Sequence, residues 1–244
     1  MPFIPSSLRL MKRVSLMKAA FLVSNLLLTL LIGSGRQAIA QSRPDTVPVQ
    51  LSHYNSRLAL FRKAPAIQGK IMFLGDDVIE RGNWRRMLKD SSIVQRGISG
   101  DNTFGVLNRL DEATRFKPSN VFVHVGANDL ARGVPVARVM ENLFALVGQL
   151  HARVPSAQVV LMGMLPVNSA MKNFPTLHAR DEEIRELNSQ LKKYKDVIKY
   201  TFVDVYTPLL DQQNALNATL TTDGVHLNPA GYQVLMDHLK NIKP

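Results

Sequence analysis

Five apolar runs recur along the chain with a helix-patterned segment between most of them, and this alternation restricts the fold more than any other feature. The runs fall at 70–74, 93–96, 121–125, 158–165 and 201–205. Helical periodicity marks 83–89, 103–116, 135–154 and 181–194, with a short helix at 51–62 before the first run and a last one at 229–240. Strands that alternate with helices need crossover connections, and crossovers of one hand build a parallel sheet covered on both faces. The pattern therefore predicts one three-layer α/β/α domain around a five-stranded parallel sheet. The same reading divides the chain into 1–40, a leader; 41–67, a polar, proline-containing linker with the first helix; and 68–244, the α/β domain.

In such a sheet ligands bind outside the carboxyl ends of the strands, so the residues just after each run are the candidates for chemistry. They are Gly75-Asp76-Asp77, Gly97-Ile98-Ser99-Gly100-Asp101-Asn102, Gly126-Ala127-Asn128-Asp129, Pro166-Val167-Asn168 and, beyond the fifth run, Asp223-Gly224-Val225-His226. Glycines and polar side chains converge on one edge. Asp223 and His226 are three residues apart on a glycine-containing turn, which lets the carboxylate accept the imidazole Nδ1 proton and leaves Nε2 facing the strand ends. A backbone N–H at Gly100 and the amide of Asn128 are suitable donors for a developing oxyanion.

The blocks FLGDDVIERGNW, RGISGDNTFGVLNRLDE, HVGANDLARG and TDGVHLNPAGY resemble, in order, the four blocks of the SGNH (GDSL) hydrolases, and the resemblance spans residues 68–240. It implies that family's flavodoxin-like fold and its hydrolysis of short acyl esters, such as acetyl groups on glycans. Position by position, it implies that Gly100 and Asn128 form the oxyanion hole and that Asp223 and His226 serve as acid and base. The family's nucleophilic serine falls on Asp77. A small-molecule or glycan acyl ester is the expected ligand, with no cofactor and no metal. No long hydrophobic lid is expected.

An aspartate there changes the chemistry. A serine attacks only when a base takes its proton, whereas a carboxylate is already ionised at neutral pH. Flanked by Asp77 and Asp223, the His226 imidazole is expected to hold its proton more tightly. Three readings follow: ester hydrolysis is lost and the domain binds what its relatives cleave; Asp77 itself is the nucleophile; or Asp77 or His226 activates water directly. An ion pair in a disused cleft is the purely structural alternative.

Other side chains have blander roles. Ser99 reads as a turn hydroxyl bonded to its own backbone, His124 as a packed strand histidine, and Trp84 as a residue packed over a helix start. His53, His151, His178 and His238 lie outside the blocks.

The remaining constraints come from composition. Arg9, Lys12, Arg13 and Lys18 precede an apolar stretch, 19–33, and Ala38-Ile39-Ala40 supplies the small residues of a cleavage site, so a secretory leader cleaved before Gln41 is expected. Met11 and Met17 offer alternative starts within it. The apolar stretch is shorter than the ~20 residues that span a bilayer, so the membrane enters only during export, to the periplasm or the medium. Removing 1–40 takes away five basic residues, the four above and Arg36, and no acidic one, so the net charge of +11 falls to +6. The clusters Arg85-Arg86-Lys89 and Lys192-Lys193-Lys195-Lys199 read as solvated helix faces rather than a nucleic-acid surface. The chain has no cysteine, which excludes disulfides, thiolate metal sites and a cysteine nucleophile.

Overall fold

A computed structural model describes residues 51–68 and 70–240; the leader, its cleavage site and the linker at 41–49 lie outside the described residues. The elements are, in order, α1 (Leu51–Lys63), β1 (Ile71–Gly75), α2 (Asp77–Arg81), α3 (Trp84–Met87), β2 (Val94–Gly97), α4 (Thr103–Asn108), α5 (Leu110–Thr114), β3 (Asn120–His124), α6 (Ala127–Ala131), α7 (Val136–Arg153), β4 (Gln158–Met162), α8 (Pro175–His178), α9 (Asp181–Ile198), β5 (Thr201–Val203) and α10 (Pro229–Lys240). The five strands form one parallel sheet in the order β2-β1-β3-β4-β5. The chain runs from β1 out to β2 and then returns past β1 to β3. That reversal opens a crevice at the carboxyl ends of β1 and β3, the place where open α/β sheets bind ligands.

The strands are apolar throughout because both faces are covered. Met72, Leu74, Val121, Val123, Val159 and Leu161 point to one side, where they pack with α7 and α9 through Leu143, Leu146, Leu187 and Leu191. Phe73, Phe122, Val160 and Met162 point to the other, against Ile79, Trp84 and the α10 residues Leu235, Met236 and Leu239. Successive residues thus feed opposite layers, as a pleated strand requires. Trp84 is fully buried, as a packing residue: its ring stacks on Phe73 at 4.2 Å, meets Tyr232 edge-on, and its Nε1 donates to the Ile79 carbonyl at 2.7 Å.

Three departures from the sequence reading have local causes. The segment 103–116 is two short helices, because Arg109 at the break has φ −117° and turns its guanidinium inward. It is fully buried, donates from Nε to Asp101 at 2.9 Å, and donates from Nη2 to the carbonyls of Gly75 and Arg96. The fourth strand stops at Met162 rather than 165, since Asn188 of α9 takes over the backbone of Met164, accepting its N–H at 2.6 Å and donating to its carbonyl at 2.9 Å. The fifth stops at Val203, where Asp204 starts a turn by accepting from the N–H groups of Tyr206 and Thr207.

Candidate active site

The first turn of the site is fixed by backbone sterics. Gly75 sits at φ +152°, and a Cβ there would lie 1.8 Å from the His124 carbonyl oxygen. No other residue fits. The Asp76 N–H donates to that same carbonyl at 3.1 Å, and the Asp76 side chain caps α2 by accepting from Val78 N–H. Asp76 is buried and its Oδ1 lies 3.0 Å from Nδ1 of His124, itself 1% exposed. His124 is the packed histidine expected, and its partner is the aspartate beside the nucleophile position. Asp77 then opens α2 with its side chain directed to the crevice.

Gly100 adopts φ +76°, a conformation that side chains rarely tolerate, and its N–H donates to Asp77 Oδ2 at 2.9 Å. Asn128, in the first turn of α6, donates from Nδ2 to the same oxygen at 2.9 Å and to the Asp101 carbonyl at 2.9 Å. His226 Nε2 lies 3.8 Å from the other oxygen, Oδ1, and its Nδ1 lies 2.7 Å from Asp223 Oδ2. Asp223 Oδ1 accepts the N–H groups of Val225 and His226, at 3.0 and 2.7 Å, so the turn holds the imidazole by its backbone as well as its ring. All five residues expected at the site, Asp77, Gly100, Asn128, Asp223 and His226, are thus brought together, with Asp77 at their centre.

The electrostatics follow from these contacts. Burial works to raise the Asp77 pKa, but His226 and the bonds from Gly100 and Asn128 outweigh it and hold the carboxyl well below its usual range. Asp223 is lowered too, its burial outweighed by the His226 and Val225 hydrogen bonds. Burial works to lower the His226 pKa, and the two carboxylates overcome it, so the imidazole retains its proton to higher pH than usual. Asp76, by contrast, is raised by burial despite His124.

Several further residues frame the site in ways the sequence did not show. Asp129 is fully buried and accepts from the N–H and the hydroxyl of Thr103, at 2.9 and 2.6 Å, which locks α6 to α4. Arg109 holds the ends of β1 and β2 together with Asp101. One signal could have revealed it, because Arg109 is three residues after Val106 and four before Ala113, on the apolar stripe of the helical pattern at 103–116. Ser99 does not bond its own backbone; its N–H and hydroxyl turn to Glu80. The connection 163–180 contributes a cover that was not expected. It carries Phe174, whose ring meets His226 edge-on at 5.1 Å, and Leu177. With the strand ends it encloses a cavity of about 470 Å³, whose lining includes Asp77, Gly100, Asn128 and His226 together with the apolar side chains of Leu165, Val167, Leu177 and Ile184.

The model of the GDSL-like lipase/acylhydrolase family matches residues 75–234, from the turn after β1 into α10. The chain is 32% identical over 103 residues to the platelet-activating factor acetylhydrolase IB subunit alpha1 of Bos taurus, a match covering 40% of this chain and 44% of that one; it therefore spans less than half the length of that relative. It is similar in fold to a GDSL-like lipase from Bacteroides thetaiotaomicron, with a TM-score of 0.66 at 23% identity, covering 78% of this chain and 96% of that one. A catalytic mutant of an acetylxylan esterase from Geobacillus stearothermophilus shares the fold at a TM-score of 0.57 and 20% identity, over 72% of this chain and 94% of that one.

Proposed function

The chain belongs to the GDSL-like lipase/acylhydrolase family, and from that premise we propose that it binds short acyl esters, such as acetyl groups on glycans, while its own Asp77 blocks their hydrolysis. One observation carries this reading: a single oxygen of Asp77 accepts both N–H donors, Gly100 and Asn128, at 2.9 Å each. Those donors are where an ester carbonyl would place its developing negative charge. A carboxylate fixed on them fills the position and repels an incoming oxyanion. The charge also favours the protonated form of His226, in which the imidazole accepts no proton from a nucleophile.

The remaining parts have the roles of an acyl-transfer site. With a hydroxyl at position 77, the oxygen attacks the ester carbon as its proton passes to His226 Nε2, and the carbonyl oxygen becomes an oxyanion on the Gly100 N–H and Asn128 Nδ2. Collapse expels the alcohol, which takes the proton from His226. Water then attacks the acyl-enzyme by the same route and releases the carboxylic acid. Asp223 keeps Nδ1 protonated and the ring oriented throughout.

The test is the rate of 4-nitrophenyl acetate hydrolysis by the chain and by Asp77→Ser. One oxyanion donor alone is worth about 10²-fold or more, so the variant should exceed the parent by at least that factor, and His226→Ala should remove the gain. An active parent with a weaker Asp77→Ser would instead make Asp77 a catalytic carboxylate, and a covalent adduct trapped on it would mark it as the nucleophile rather than an activator of water. The leader reading is part of the same proposal: exported material should begin at Gln41, and mass spectrometry finding residues 1–40 attached would refute export by cleavage.

A further inference from the structure

Helix α1 precedes the matched family segment, which begins at Gly75, so the family likeness assigns it no task. It nevertheless touches the turn that carries Gly100. Its apolar side, Tyr54, Leu58 and Phe61, packs with Ile98. Its polar side presents His53 and Arg57 to one carboxylate, Glu80: His53 Nε2 is 2.9 Å from Oε2 and Arg57 Nε is 2.8 Å from Oε1. Glu80 Oε2 in turn accepts the Ser99 N–H. Asp77 and Glu80 lie three residues apart in α2, on one face of the helix. They therefore aim two successive amides of one turn, Asp77 taking Gly100 and Glu80 taking Ser99.

The two carboxylates are not equivalent. The bond from Asp77 exists only while Asp77 sits on the donors, whereas the bond from Glu80 is set from outside the crevice. Gly100, at φ +76°, has no side chain to hold its own orientation. Burial tends to raise the Glu80 pKa, but His53, Ser99 and Arg57 outweigh it and keep the group ionised, hence an acceptor at neutral pH. We propose that Glu80, gripped by His53 and Arg57 of α1, is the positioning residue that aims the Gly100 N–H into the cavity. This rests on the reading of Gly100 as a ligand-facing donor, and α1 becomes a working part of the site rather than an ornament of the linker.

Amide hydrogen exchange and NMR shifts of the full chain test the proposal without any ligand. Glu80→Ala, made in the parent and in Asp77→Ser, should speed exchange at Ser99 and Gly100 at least about tenfold relative to Val121 and Val123, the effect of losing one charge-assisted hydrogen bond. It should also shift the Gly100 amide proton. Glu80→Gln, whose amide oxygen still accepts, should restore much of the protection, and Arg57→Ala should act in the same direction as Glu80→Ala but less. Equal loss at all four amides, or no change at Ser99 and Gly100, would reduce Glu80 to an ordinary brace and overturn the inference. The two readings fail separately. An inactive Asp77→Ser would sink the proposed function and leave the exchange result standing; if Asp77→Ser is active, Glu80→Ala should lower its kcat with KM unchanged.

Discussion

Two aspartate–histidine pairs stand at the same sheet edge, and they behave as opposites. Asp76 and His124 are 2% and 1% exposed and close on each other through one 3.0 Å contact. Asp223 and His226 are joined by a shorter contact of 2.7 Å but are partly open, and a third group, Asp77, faces the far side of the ring. Burial dominates the first pair, so Asp76 resists ionisation. In the second, hydrogen bonds and the neighbouring charge outweigh burial, so Asp223 and the nearby Asp77 ionise more readily than usual and the imidazole keeps its proton to higher pH. The same two side chains thus serve as a structural joint in one place and a charged site in the other. The difference lies in what else reaches them.

The largest expected consequence is in stability. Asp76→Ala removes a buried hydrogen bond and the cap of α2, leaves His124 Nδ1 without its partner, and should cost about 3 kcal/mol. Asp223→Ala, on an open turn, should cost about 1 kcal/mol. Urea melts of the two variants measure both, and equal losses would break the comparison.

A smaller effect should appear in the pH dependence of the whole chain. Asp77 and Asp223, lowered in the folded state, contribute stability that is present above the unfolded value of about 3.9 and is lost as pH falls through their folded values. His226, raised, contributes stability that is complete below about 6.5 and fades as pH climbs through its folded value. Asp129, pushed up to about 6 by burial despite its bonds from Thr103, costs stability progressively as pH rises from the unfolded value of about 3.9 towards its folded value. Asp101 is raised by burial in the same sense, against the pull of Arg109. The melting temperature should therefore peak at about pH 4 and decline towards neutral pH. A melting temperature that rises steadily into the alkaline range would contradict the assignments.

The smallest change sharpens the second pair alone. Asp77→Asn keeps the shape and removes the charge, so the His226 ring should release its proton at lower pH than in the parent, as NMR titration of its ring protons would read. No movement would mean that the 3.8 Å approach of Nε2 and Oδ1 carries no coupling.

Much of this was legible in the sequence. The apolar runs, three of them ending in glycine, placed five strands and the edge where the side chains meet, because a parallel sheet buried on both faces leaves few polar positions. Asp77, Gly100, Asn128, Asp223 and His226 were found for the same reason. What the sequence hid were contacts between blocks. His53 and Arg57 meet Glu80 across 27 and 23 residues, and nothing in their spacing signals it. Asp129 and Thr103 are likewise joined only by the fold. The cover at 163–180 went unread because it is built of a 3₁₀ turn, Ser169–Met171, and the four-residue α8, too short for a periodic pattern. Arg109 is the instructive case, since an arginine on an apolar stripe looks like an interruption and is in fact the pin between two strands.

The central claim is that the Asp77 carboxylate occupies the two donors meant for a ligand oxygen. Solution NMR of the Gly100 amide and the Asn128 side-chain amide, in the parent and in Asp77→Ser, tests it most directly. Charge-assisted hydrogen bonds are shorter and stronger than neutral ones, so both proton signals should lie downfield in the parent and move upfield together in the variant. Signals that stay in place, or only one that moves, would show that Asp77 does not fill the site, and the account of a self-blocked esterase cleft would fall.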